Sequence, residues 1–373
     1  MKKGIAIILS ALILCSSAAC SSQSGESSAS QTTSESQAVQ TTTEALAEAP
    51  TLDSKTEASI EEAIQNFEFE GVIYAEKDGK PLYSFAKGTQ ENGEKITIDT
   101  PLPIGSVSKQ FCAAAVMLLQ EQGKLNVKDT LDKYYPEYAD GSKISLHNLL
   151  SMRSGLPDPT GTNAIEGADK KTEAEKVDAI KKWVFSQQLI FEPDQNYTYA
   201  NINYILLSDI VEQVSGKKYA EFLRESFFEP LGMNHTGTAS EVADSPEWAQ
   251  GAVFDQLDKH LGIPTSGAGD IISNAADMTT WLNALGNGKA VSAESFKAMT
   301  TDYSDGGNYG YGLDLDVYGG VGHSGTISIY SAYDYLNTDE KLTLFTVSNT
   351  IDQFTAIVPF SEELLEIFMP EAE

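Results

Sequence analysis

Ile104-Gly105-Ser106-Val107-Ser108-Lys109-Gln110-Phe111 stands at the mouth of a long apolar run. Ser106 and Lys109 are three residues apart, and a helix turns once in about 3.6 residues, so the two share a face and the lysine amine can reach the serine hydroxyl. A lysine withdrawn from water gives up its proton more readily and can then accept the serine's. That reads as an activated nucleophile. The spacing also recurs by chance, and the competing reading is a helix-capping serine beside a solvated lysine.

The chain has 373 residues, 41% of them hydrophobic, with 15 Phe and 16 Tyr, enough for a sizeable core in one large or two ordinary domains. Residues 1–19 read as a signal peptide, because Lys2 and Lys3 precede the apolar stretch Ile5–Leu14 and small residues follow. About ten apolar residues fall short of the roughly 20 that span a bilayer. Ser17-Ala18-Ala19-Cys20 resembles the bacterial lipoprotein cleavage signal, in which Cys20 is lipidated; Ser17 stands where leucine is usual, which leaves ordinary cleavage open. Residues 20–51 hold Ser, Thr, Gln, Glu and Ala without an aromatic side chain and read as a disordered tether with a reach on the order of 30 Å. The folded domain is expected over 52–373, outside the cytoplasm and lipid-anchored to a bacterial cell membrane.

Of three cysteines, Cys15 leaves with the signal and Cys20 would carry lipid, so Cys112 stands alone and no intramolecular disulfide is expected. Its neighbours Phe111, Ala113 and Ala114 point to a small buried hydrophobe. His147, His235, His260 and His323 lie far apart, so neither a metal site nor a cofactor is expected. A net charge of −29 argues against a nucleic-acid partner, since phosphate neutralisation needs Lys and Arg, and leaves membrane attachment to the lipid.

The patterning predicts a helix over Ser54–Phe67 and a hairpin of Gly71–Glu76 and Pro81–Ala86 around Lys77-Asp78-Gly79-Lys80. Phe111–Gln122 continues the Ser106 helix, with Gly123 as its stop. Helices follow over Leu146–Ser151, Glu173–Ser186, Ile202–Val214 and Ala220–Phe228, with no strand pattern between them. Strands return at Gly312–Tyr318, Thr326–Tyr335 and Lys341–Val347, and a helix closes the chain from about Ser361. Both ends of the chain thus supply a sheet with flanking helices, and a mostly helical region is inserted: an α+β fold, with a cleft between the two regions as the natural site.

Two further segments carry polar groups toward that cleft. In an extended Tyr199-Ala200-Asn201, residues two apart project together, a phenol to carry protons and an amide to hydrogen-bond at both ends. A tyrosine at a helix entrance is equally a packing residue. Gly319-Gly320-Val321-Gly322-His323-Ser324-Gly325-Thr326 is glycine-rich and leads into a strand, where Gly325 allows another backbone to approach. A peptide-like substrate could dock there as an added strand, with the amides of Ser106 and Thr326 aimed at one carbonyl oxygen. A plain turn between strands is the alternative.

Ser-x-x-Lys on a helix start, Tyr-x-Asn ahead of a second helix, and a polar-polar-Gly triplet occur in the order used by penicillin-recognising serine enzymes. Over about Phe69–Asn349 the chain resembles the β-lactamase-related serine hydrolases, the group of class C β-lactamases and certain D-alanyl-D-alanine carboxypeptidases. Leu149-Leu150-Ser151-Met152-Arg153-Ser154-Gly155-Leu156-Pro157, Asn203-Tyr204-Ile205-Leu206-Leu207, Pro230-Leu231-Gly232-Met233 and Gly310-Tyr311-Gly312 add to the resemblance.

The resemblance implies a β-lactamase/transpeptidase-like fold. It implies Ser106 as nucleophile, Lys109 as the amine that activates it and Tyr199 as proton shuttle, the order of proton removal between the last two staying open. Asn201 would orient the substrate amide, His323 and Ser324 would meet its polar end beside Gly325, and the amides of Ser106 and Thr326 would form the oxyanion hole. The implied reaction is acyl transfer through an acyl-enzyme, in the manner of a D,D-carboxypeptidase, on a small molecule or a peptidoglycan peptide. Esterase and D-aminopeptidase activities occur in the same group. A wall-peptide or β-lactam binding protein without turnover is the reading from another class. Two departures stand out. His323-Ser324-Gly325 replaces the commoner Lys-Thr-Gly, and a histidine is only partly charged near neutral pH, which weakens the expected recognition of a substrate carboxylate. Ala200 stands where many relatives carry serine. An elbow-type esterase at Ser324 would need glycine where Thr326 stands.

Overall fold

The computed structural model describes residues 50–90, 93–160, 162, 164–167, 171–243, 264–350 and 355–370. The expected signal peptide, Cys20, nearly all of the tether and His260 lie outside those residues. The chain divides into two units, Met1–Ala47 and Glu48–Glu373, and the described residues belong to the second.

A six-stranded antiparallel sheet is built from both ends of that unit. Its strands are β1 (Gly71–Lys77), β2 (Lys80–Lys87), β6 (Asp314–Val317), β7 (Gly320–Ile327), β8 (Tyr330–Asn337) and β9 (Leu342–Ser348), in the order β2-β1-β9-β8-β7-β6. One face packs on α1 (Ser54–Asn66) and the C-terminal helix Ile357–Phe368, through Ile60, Phe69, Ile73, Leu344 and Phe360. The Phe69 and Phe360 rings stack with centroids 4.4 Å apart. The opposite face meets the inserted region through the turn Gly105–Ser108 and the helix Ala275–Gly286, behind which lie α2 (Lys109–Glu121), α3 (Leu146–Leu150), α4 (Glu173–Phe185), α5 (Asn201–Ser215) and α6 (Tyr219–Leu223). There Phe111 of α2 stacks on Trp281 at 4.0 Å, so the helix bearing Lys109 is keyed into the larger core.

Several expected boundaries change. Thr326–Tyr335 is not one strand: β7 ends at Ile327 and a two-residue turn leads into β8 at Tyr330. Ser328 and Ile329 make that turn, with Ser328 at φ +54°, and neither is the Gly, Asn or Asp that marks a two-residue hairpin turn, so the apolar alternation runs through it unbroken. The glycine-rich segment is mostly strand, since β7 starts at Gly320. The inserted region is not purely helical: β3 (Leu102–Pro103), β4 (Gly237–Thr238) and β5 (Ile271–Ser273) form a small sheet in the order β3-β5-β4. Strands two or three residues long carry too little periodicity to read. Helices Ala275–Gly286 and Ala293–Met299 add to the expected set, and the last helix starts at Ile357, four residues before Ser361.

Candidate active site

Ser106 lies in a 3-10 turn, Gly105–Ser108, that runs directly into α2 at Lys109. Neither residue fits the cap-and-surface alternative. No side-chain cap hydrogen bond is made at this helix start, and Lys109 is fully buried at 0% exposure. Two glycines bring this turn against β7. Gly105 sits at φ +55°, where a Cβ would lie 2.7 Å from the Thr326 amide nitrogen. A Cβ on Gly325 would lie 2.0 Å from the Ile104 carbonyl oxygen and 2.7 Å from the Ser106 amide nitrogen. The backbone that Gly325 admits is therefore the chain's own serine turn, and the contact sets the Ser106 and Thr326 amides side by side.

Lys109 Nζ lies 3.0 Å from Ser106 Oγ, 2.8 Å from Asn201 Oδ1 and 2.7 Å from the Ala268 carbonyl oxygen. Burial lowers its pKa to about 7, against the pull of Asp158 and, more weakly, Cys112, Asp314 and Asp270. A neutral amine has two N–H bonds and one lone pair. The carbonyls of Asn201 and Ala268 can only accept, so they take both N–H bonds, and the lone pair is left facing the Ser106 hydroxyl proton. The arrangement can deprotonate the serine near neutral pH.

Tyr199 covers this pair, its ring centroid 4.8 Å from Lys109 Nζ and its residue surface 36% exposed. Although part of the side chain is exposed, its surroundings desolvate the hydroxyl and drive its pKa well up, while the Ser106 hydroxyl beside it works in the opposite direction. Ala200 is extended and buried at the N-cap of α5, so Tyr199 and Asn201 reach the same site from its two sides.

His323 is 3% exposed and takes no open position. Its Nδ1 lies 2.5 Å from the Ser324 carbonyl oxygen, which makes Nδ1 the protonated nitrogen, and Nε2, 3.1 Å away, accepts from the Tyr309 hydroxyl. Burial also lowers its pKa. The ring is thus neutral and internally satisfied, and it buttresses Tyr309 and Tyr199, with ring centroids 5.7 and 6.1 Å away. Ser324 and Thr326 stay partly exposed on β7.

A family description, beta-lactamase, matches residues 60–355. The chain belongs to the beta-lactamase family. It is 29% identical over 315 residues to penicillin-binding protein 4* of Bacillus subtilis (strain 168), covering 76% of this chain and 69% of that protein. It is 26% identical to a D-aminopeptidase of Brucella anthropi over 79% of this chain, spanning 58% of that protein's length. Among solved structures, a D-amino acid amidase from Ochrobactrum anthropi SV3 superimposes with a TM-score of 0.70 at 22% identity, covering 84% of this chain and 99% of the amidase. An octameric penicillin-binding protein homologue from Pyrococcus abyssi does so with a TM-score of 0.68 at 26% identity, covering 84% and 77%. This chain is therefore a serine hydrolase fold of the β-lactamase/transpeptidase type.

The β-lactamase-family site also holds groups that the motifs did not reveal. Asp158 accepts from the Asn201 backbone N–H at 2.5 Å, Ala268 lends its carbonyl to Lys109, and Asp334 holds β7 by the His323 amide at 2.8 Å. Asp334 also accepts from Gln110 at 2.6 Å, and Trp281 donates to Gln110 at 2.8 Å, so a buried polar chain ties β7 and β8 to α2. Asp158 sits between Pro157 and Pro159, one residue beyond the quoted Leu149–Pro157 string, and Gln110 directly follows Lys109; these were the available signals. Arg153 pairs with Asp194 at 3.6 Å, and Cys112 is a buried thiol whose pKa burial drives up, as expected of a small hydrophobe. Glu192 is 60% exposed and salt-bridged to Lys143 at 3.8 Å, in keeping with a solvated loop. A cavity of about 870 Å³ is lined by Ser208, Tyr219, Asp270 and Ile327; Ser106, Lys109 and Tyr199 do not line it.

Proposed function

We propose that this protein is a cell-envelope serine hydrolase that cleaves an amide or ester through an acyl-enzyme on Ser106. The observation that carries the reading is Lys109, buried, with a pKa of about 7 and both N–H bonds committed to carbonyls, 3.0 Å from Ser106 Oγ. Ser106 Oγ bonds to the substrate carbonyl carbon as its proton passes to Lys109, directly or through Tyr199. The amides of Ser106 and Thr326 hold the oxyanion. The bond to the leaving nitrogen or oxygen then breaks, that atom takes the proton, and water later releases the acyl group by the reverse relay.

His323 bears on the substrate. A neutral, buried imidazole with both nitrogens engaged offers no cation to a substrate carboxylate. That favours D-amino-acid amides, related peptide amides and esters over the free carboxylate of a D-alanyl-D-alanine end, and so favours the aminopeptidase, amidase and esterase activities of the family over carboxypeptidase activity. A lipid on Cys20, with residues 20–51 as the tether, would hold the domain at the outer face of the membrane near peptidoglycan peptides.

Intact mass after exposure to a fluorophosphonate and to a fluorescent penicillin tests the reading. One adduct per chain, absent in Ser106→Ala, is expected; an unchanged mass with both probes overturns it. Turnover of a D-amino-acid amide and a short-chain ester above that of a D-alanyl-D-alanine peptide is expected, and the opposite order overturns the substrate preference.

A further inference from the structure

Asn201 must present its carbonyl, not its NH2, to Lys109, and an isolated amide has no reason to choose. The choice is made next to it. Asp158 Oδ1 accepts from both the backbone N–H and the hydroxyl of Thr160, at 2.9 and 2.7 Å. With its hydrogen committed to a carboxylate that only accepts, the Thr160 oxygen can only accept in turn, and Asn201 Nδ2 donates to it at 3.0 Å. The Asn201 amide is thereby locked with Oδ1 toward Lys109 Nζ at 2.8 Å. The second oxygen, Asp158 Oδ2, accepts from the Asn201 backbone N–H at 2.5 Å and so caps α5, whose N-cap residue Ala200 has no side chain to do so.

We propose that Asp158 is a positioning residue for acyl transfer. Through Thr160 it orients the Asn201 amide, through the α5 cap it fixes where that amide starts, and it supplies a carboxylate that favours the charged form of Lys109. The inference rests on the acyl-transfer reading above. The other titratable groups facing Lys109 are Cys112 on α2, Tyr204 on α5, Tyr199 ahead of α5, Asp270 in the segment before β5, Asp314 on β6 and His323 on β7. Asp158 heads the influences that hold the amine's pKa up, so removing its charge moves the lysine's titration to lower pH.

The test is the rate of Ser106 acylation by a fluorophosphonate, followed by intact mass between about pH 5 and 9 on the full chain. Wild type is expected to show a rise through about pH 7. Asp158→Asn is expected to shift that rise down by roughly one pH unit and to lower the plateau about tenfold or more. Asp158→Glu, which keeps the charge, is expected to hold the rise in place. Thr160→Val is expected to lower the plateau with the rise unmoved, and Thr160→Ser to restore the plateau. An unmoved rise in Asp158→Asn overturns the proposal. Should that variant not fold, a wild-type plateau in Thr160→Val overturns it. No Ser106 adduct in wild type at any pH is a separate outcome, which overturns the acyl-transfer reading itself.

Discussion

Lys109 shows how three oxygens determine what one nitrogen does. Fully buried and 3.0 Å from Ser106 Oγ, it is a better base than donor because Asn201 and Ala268 absorb its N–H bonds. Its folded pKa of about 7 lies below the ordinary 10.5, so the neutral form gains as pH rises through about 7. Acylation of Ser106 is therefore expected to climb over that interval, and Lys109→Ala to lower the plateau by roughly 10²–10⁴-fold, read from the same mass assay. A pH-independent rate would count against the lysine as base. None of this is visible in the spacing of Ser106 and Lys109. Spacing names the pair, whereas burial sets the lysine's protonation, and Asn201, 92 residues on, and Ala268, 159 residues on, direct its N–H bonds.

At the scale of elements, the serine turn and β7 are held in contact by what is missing from them. Gly325→Ala would place a methyl 2.0 Å from the Ile104 carbonyl oxygen and 2.7 Å from the Ser106 amide nitrogen. Backbone cannot give way there as a side chain would, so a loss of about 1–3 kcal/mol is expected, with acylation falling more than stability because both oxyanion amides move. Thermal unfolding and acylation measured on one sample separate the two effects; an active variant with wild-type acylation would refute the tight contact. Longer elements such as α1, the β1–β2 hairpin and α5 follow from periodicity and turn chemistry to within a residue or two. The β7–β8 turn does not, because Ser328 at φ +54° makes a bend that residue type leaves unmarked.

Across the whole molecule, buried carboxyls outside the reacting pair govern pH stability. Burial raises Asp270 to about 8 and Asp334 to about 7, from an ordinary 3.8. The folded state then keeps protons that the unfolded chain releases, so this contribution is complete below about 4 and is lost as pH rises through 7 and 8. Lys109 acts in the opposite sense only above about 7. Self-repulsion of a chain at −29 also eases toward acid. The melting temperature is expected to be higher near about pH 5 than near about pH 8, and Asp334→Asn or Asp270→Asn to flatten that slope in differential scanning calorimetry. A melting temperature that rises across the interval would contradict it. Periodicity and motif chemistry are local properties of the chain, and from them follow the family, the sheet built from both chain ends and the order of the three motifs. Folding had to be seen before Lys109 could be called desolvated, His323 neutral and enclosed, and Asn201 oriented by Asp158 and Thr160. Burial and hydrogen-bond direction depend on which distant residues meet, and no local stretch of sequence contains that information.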